Sequence, residues 1–239
     1  MVTTLRQLRP TDIDVLYTAH RIYSDLADES MLSVAMLAPD SARMHQLMAH
    51  EAARRGNTDE AIAQFRQAMK IDANIPGLRF ELAEALSGSM DRPDREEAER
   101  DYRTALKKDP FDERAECRLG IIAARNSDLQ AAAAHYSRAL ELQPNDADAA
   151  VGLAKALIGM KQPEKAMPLL ERAAQLDPFN AVVHYHLSVL YRNAGRENDA
   201  QRERDEFLKV RAMKARLAQV YQAMRLQPVQ RSADQDVPN

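Results

Sequence analysis

The chain has no tryptophan, one cysteine and seven glycines in 239 residues. Each scarcity closes off a class of chemistry. A lone Cys117 forms neither an intrachain disulfide nor a cysteine-based zinc site. The scattered glycines build no glycine-rich phosphate loop and no Gly-x-Ser-x-Gly elbow, and no His-Glu-x-x-His helix accompanies them. No stretch approaches the ~20 apolar residues of a membrane span. Residues Met1–Pro10 lack the apolar core of a signal peptide, so the cytoplasm is the expected compartment, or the periplasm if a leader has been removed. Charge of one sign is also missing. With 33 basic and 36 acidic residues the formal net charge is -3, and no basic stripe marks a nucleic-acid binder.

Helix formers are what remains: Ala, Leu, Glu, Arg and Gln dominate. They recur with a period. Pro110, Pro144 and Pro178 fall 34 residues apart. In the segment 147–180, Leu153, Ala154 and Leu157 mark one helix face, and Ala166, Leu170, Ala173 and Leu176 mark a second. Asp177-Pro178 then ends that second helix, because a residue before proline is pushed out of the α region. The same pattern runs through 42–75, 76–112, 113–146, 147–180 and 181–214, with three extra residues in the second copy. Position eight is always small: Ala49, Ala83, Gly120, Ala154 and Ser188. Position twenty is Ala61, Ala98, Ala132, Ala166 and Ala200. Position twenty-four is Phe65, Tyr102, Tyr136, Leu170 and finally Arg204. Small residues at fixed phase let an aromatic or leucine of one helix sit against its neighbour.

A repeated helical pair with this signature resembles the tetratricopeptide repeat, over residues 42–214. The resemblance implies an all-α, right-handed α-solenoid of tandem 34-residue helix–turn–helix units. Ahead of them, 11–41 reads as a degenerate repeat capped by Thr11 or Asp12, either one bent helix or a broken pair. The turns are expected at Gly56, at an enlarged Gly88–Asp94 loop, at Asn126 standing in for glycine, at Met160–Pro163 and at Gly195. Pro168 removes a backbone hydrogen bond, so a kink is expected near Glu164–Pro168.

The helix of the last unit runs on without Gly or Pro to about Leu226. Its Val210, Met213, Leu217, Val220 and Met224 form a heptad seam. The seam is expected to fold back over Leu187 and Tyr191 as a cap, with 215–226 as its end, which leaves a monomer; pairing with a second copy is the alternative. Residues 227–239 are polar and expected to be disordered.

No constellation for catalysis appears, and no enzyme activity, cofactor or metal is expected. His184 and His186 point apart on a helix, His45 and His50 are five residues apart, and His20 and His135 stand alone. The acidic cluster at 94–101 alternates with arginine and reads as a solvated face. Function then rests on a surface. By the resemblance, repeat positions two, five, nine and twelve line a groove that takes a peptide or helix of a partner protein. Those positions hold Gln46, His50, Phe80, Glu84, Arg114, Cys117, Ile121, Val151, Lys155, Tyr185, Val189 and Arg192. Phe80, Ile121, Val151, Tyr185 and Val189 make this stripe apolar, which favours an amphipathic segment over a charged tail. The family members that clamp chaperone tails use positions matched here by Gln46, His50, Glu81, Arg114 and Arg118. Only the two arginines fit, and Glu81 would repel a carboxylate. A scaffold protein is therefore expected, with a structural subunit of an envelope or secretion assembly as the alternative.

Overall fold

The structure, a computed structural model, describes residues 11–223. Those residues form eleven helices and no strand, an all-α solenoid fold. In chain order they are α1 (Ile13–Leu37), α2 (Ala42–Arg54), α3 (Thr58–Ile71), α4 (Leu78–Ser87), α5 (Arg92–Lys108) and α6 (Glu113–Arg125). Then follow α7 (Leu129–Leu142), α8 (Ala147–Gly159), α9 (Pro163–Leu176), α10 (Ala181–Asn193) and α11 (Glu197–Ala223). They fall into two compact units, one ending at Met90 and the other beginning at Asp91. Met224, Leu226 and the tail 227–239 lie outside the described residues.

The capping chemistry repeats as the sequence does. Asp112, Asp146 and Asn180 sit immediately before α6, α8 and α10, and each side chain accepts hydrogen bonds from two backbone N–H groups of the first turn. Ser41 does the same for one N–H of α2. Asp12, not Thr11, caps α1, which is one uninterrupted helix of 25 residues.

At the far end of α2, α6, α8 and α10 the chain turns through one left-handed residue, whereas α4 ends at Gly88 with an ordinary φ of -82°. Gly56, Ser127, Lys161 and Gly195 have φ of 75°, 61°, 59° and 72°. All four occupy the fifteenth position of their units. The following N–H bonds back to the helix in each case, as in Asn57 N to Ala52 O and Asp128 N to Ala123 O, both 2.9 Å. The third unit differs from expectation: Asn126 has an ordinary φ of -81°, and Ser127 takes the strained position. Pro168 lies inside α9, which runs through it without a break.

Packing follows the small-residue register. In the first unit Ala49, Ala52, Ala61, Phe65 and Ala83 are buried where α2, α3 and α4 meet. In the second, Ala132, Ala139, Ala154, Ala166, Leu170 and Ala173 are buried in one core. Tyr136 of α7 is its keystone. A Cβ added at Gly120 of α6 would lie 2.9 Å from the Tyr136 ring, and one added at Gly152 of α8 would lie 2.4 Å from it. The ring thus occupies space that two glycines leave open, one on each flanking helix.

Two helices stand largely uncovered. Of α1 only Ala19 is buried. In α11 the residues up to Val210 pack on α10, and Val210 is 2% exposed. Beyond it Met213, Leu217 and Val220 are 45%, 48% and 47% exposed. The seam therefore does not fold back over Leu187 and Tyr191: nothing between Glu197 and Ala223 interrupts the helix, so it has no place to turn. No described helix is long and apolar enough to cross a membrane.

Candidate peptide-binding face

Among the candidate residues of the first unit, two are committed to an internal network. Gln46 of α2 is buried and its Nε2 donates to Glu81 of α4 at 2.6 Å. The same carboxylate lies 3.3 Å from His50 Nε2. The His50 ring in turn meets Phe65 edge-on at 5.4 Å. Glu81 thus ties α2 to α4, so three of the five positions matched to a chaperone-tail clamp are occupied by one another. Phe80 and Glu84 are half-buried on α4.

In the second unit the first helices of the pairs, α6, α8 and α10, carry the remaining candidates. Their burial divides by repeat position. Cys117 and Val151, both at position five, are 8% and 3% exposed and belong to the core. Buried in that core, neither presents its side chain to solvent. Tyr185 at the same position is half-buried, with its ring 5.8 Å from Phe207 of α11 and 5.3 Å from His186. Position nine is more open: Ile121, Lys155 and Val189 are all half-buried. Arg114 and Arg192, at positions two and twelve, are exposed.

Between the end of α8, the turn into α9 and the face of α10 lies an open cleft of about 390 Å³. Its apolar lining includes Ile158, Pro163, Val189 and Leu190, with Lys161 and His186 among its polar groups. Val189 is the sequence-derived candidate that opens into it. The histidines divide as their spacing requires. His186 faces the cleft, whereas His184 is buried, with Nδ1 bonded to Glu203 at 2.7 Å and Nε2 meeting the Pro178 carbonyl at 3.0 Å. No group of three or more His, Cys, Asp or Glu side chains is placed to hold a metal among the described residues.

Behind the cleft, Tyr191 fixes α10 to α9. Its hydroxyl donates to Glu171 at 2.7 Å, and the Arg196 guanidinium lies 4.2 Å from its ring centroid. Burial first, and then the Glu171 bond, push the phenol up to about 12. Arg196 also bonds Asp199, and that bond holds the Asp199 carboxyl below its ordinary value despite some desolvation.

The helix register, the small residues at positions eight and twenty, and the turn at position fifteen define an all-α tandem-repeat protein. Profiles described as "Tetratricopeptide repeat" match residues 42–75, 123–170 and 157–224, and the chain belongs to the tetratricopeptide-repeat family. Among solved structures it is similar to MamA from Desulfovibrio magneticus RS-1, at 24% identity over 74% of this chain and 96% of that one, with a TM-score of 0.57. It is similar to PilF of Pseudomonas aeruginosa, at 20% identity over 71% of this chain and 76% of that one, with a TM-score of 0.62. YrrB, described as a TPR protein with an unusual peptide-binding site, matches at 17% identity over 75% of this chain and 91% of that one, with a TM-score of 0.54. Comparison with curated protein sequences finds no match.

Proposed function

We propose that the chain is a protein-binding scaffold that takes an amphipathic segment of a partner on the face formed by α6, α8 and α10. The observation that carries this reading is the cleft at Val189: an open apolar recess on a first helix, with cationic Lys161 at its edge and Arg192 exposed on the same helix. A single apolar anchor seats in such a recess, while Arg114, Lys155 and Arg192 set its orientation. Membership of a repeat family that presents first-helix side chains to peptides supports the same reading. YrrB's described peptide-binding site makes it a natural comparison for this face.

Site-specific photo-crosslinking in the native host tests it. A crosslinker at Val189 should capture a partner that one at Arg172, exposed on α9, does not. Capture should fall in Tyr185→Ala and Val189→Asp and survive moderate salt. A partner captured from Arg172 alone would support the other reading, a structural subunit held by its outer surface and ends. The uncovered apolar side chains of α1 and of α11 beyond Val210 favour that second reading.

A further inference from the structure

Beyond Val210, α11 carries a seam of exposed apolar side chains, Met213, Leu217 and Val220. The charges around it are of one sign. From Phe207 to Ala223 the chain has four basic residues, Lys209, Arg211, Lys214 and Arg216, and no acid. Three of them border the seam. Lys209 and Arg216 lie four residues before and three after Met213, on one edge, and Lys214 lies three before Leu217, on the other. Ala215 and Gln222 occupy the opposite face. A helix that is merely solvated carries its charge on the face away from its apolar strip, whereas these cations stand at the edges of the strip. Lys209 also meets Glu206 at 3.3 Å, yet its side chain is 72% exposed, and such surface pairs hold weakly.

That arrangement selects among occupants. In a parallel pair of α11 helices Lys209 would face Lys214 of the other copy, and in an antiparallel pair the basic edges would face each other. A nucleic acid would take the cations but leave the apolar side chains between them in water. A sheet of anionic headgroups meets both edges at once and takes the seam into its apolar layer, while the Lys and Arg stems reach back to the phosphates. It also demands no register from a seam of about two heptads, which is marginal as a coiled coil. The helix is already formed: it runs unbroken from Glu197, and Glu203 bonds it to His184 of α10 at 2.7 Å. No described helix is long and apolar enough to cross a membrane, so the contact is with one face of a bilayer.

We infer that α11 beyond Val210 lies flat on an anionic lipid surface, with Met213, Leu217 and Val220 in the acyl layer and Lys209, Lys214 and Arg216 at the headgroup phosphates. This inference is independent of the binding face on α6, α8 and α10.

Flotation of the full chain with lipid vesicles tests it. Vesicles of phosphatidylcholine containing about one third phosphatidylglycerol should carry the chain, and pure phosphatidylcholine should not. Raised salt should weaken the binding. Lys214→Gln with Arg216→Gln should lower the affinity by about tenfold or more. Lys165→Gln with Arg172→Gln, equal in charge but exposed on α9, should leave it unchanged. Leu217→Asp should abolish binding, and circular dichroism verifies that each variant stays folded. The chain has no tryptophan, so Leu217→Trp reports on the seam alone. Its emission should shift to the blue on the anionic vesicles, and that of Ala215→Trp should not. Absence of flotation with the anionic vesicles overturns the inference. So does an equal loss in the α9 variant, which would make the attraction one of net charge. A blue shift of Leu217→Trp that grows with protein concentration in the absence of lipid would assign the seam to a second copy. The same shift with an acidic amphipathic peptide but not with vesicles would assign it to a protein partner, and either result overturns the inference.

Discussion

His184 and Glu203 are joined by a 2.7 Å hydrogen bond across nineteen residues, from the fourth position of one helix to the twenty-third position of its unit. The same bond recurs with its ends exchanged between Glu116 and His135, at 2.7 Å, and with an amide acceptor between His45 and Gln64, at 2.7 Å. Each ties the first turn of one helix to the middle of the next. Burial sets their relative worth, because a buried acceptor or donor left alone keeps its desolvation penalty. Glu203→Ala should lower stability by about 1–3 kcal/mol, since it strands His184 in the core. Gln64→Ala should cost about 1 kcal/mol or less, as the His45 pair is only partly buried. Chemical denaturation of the two variants checks the order.

Gly152→Ala is expected to be destabilising even though alanine is the better helix former. The helix gain is about 1 kcal/mol. Against it stands a methyl group 2.4 Å from the Tyr136 ring, on a helix packed from both sides. A net loss of about 1–3 kcal/mol follows. Tyr136→Leu in the same chain should recover part of it, which denaturation of the double variant will show.

Ser127 and Lys161 hold left-handed backbone that glycine holds at the equivalent Gly56 and Gly195. Ser127→Gly and Lys161→Gly should each raise stability by about 0.5–1 kcal/mol, the relief of strain outweighing the looser unfolded chain. Asn126→Gly, one residue earlier, should lower it. Melting temperatures of the three variants separate the two positions.

The Tyr191 phenol, pushed up to about 12 against an ordinary 10, makes the fold sensitive to alkali. Its folded state favours the protonated form. That contribution to stability is complete below pH 10 and is lost as pH rises from 10 towards 12. Absorbance titration of tyrosinate should show a late step that Tyr191→Phe removes. Thermal melts of the same variant should fall less steeply across that window.

The repeat register was legible because it places one residue type at one phase many times over. Position eight against position twenty-four predicts the contact of Gly120 with Tyr136, and the structure has it. Gly152 escaped notice because its position six holds Leu47, Glu81, Arg118 and His186 elsewhere, so no pattern singled it out. Ser127 was missed for the opposite reason. The residue's chemistry pointed to Asn126, while alignment with Gly56 and Gly195 already marked the next residue. The histidine pairs were invisible to a search for neighbours three or four residues apart; counting positions across the pair would have found them. Burial of Cys117 and Val151 was not legible from the face of a single helix, because it depends on how the neighbouring helices close over that position.

The Tyr136 ring also fixes the order in which the units can be strung. Its own unit supplies one glycine, but the other comes from the unit that follows. The final unit carries His186 where Gly152 stands, so it has an imidazole at the point where even a methyl group does not fit. A gene rearrangement that excised 147–180 and joined its neighbours would preserve the 34-residue spacing but bring His186 against the Tyr136 ring, so that joint would have to repack, as the joint between Tyr102 and the unit carrying Arg118 already accommodates a large residue. Duplication of the 147–180 segment would leave the Tyr136 joint as it is.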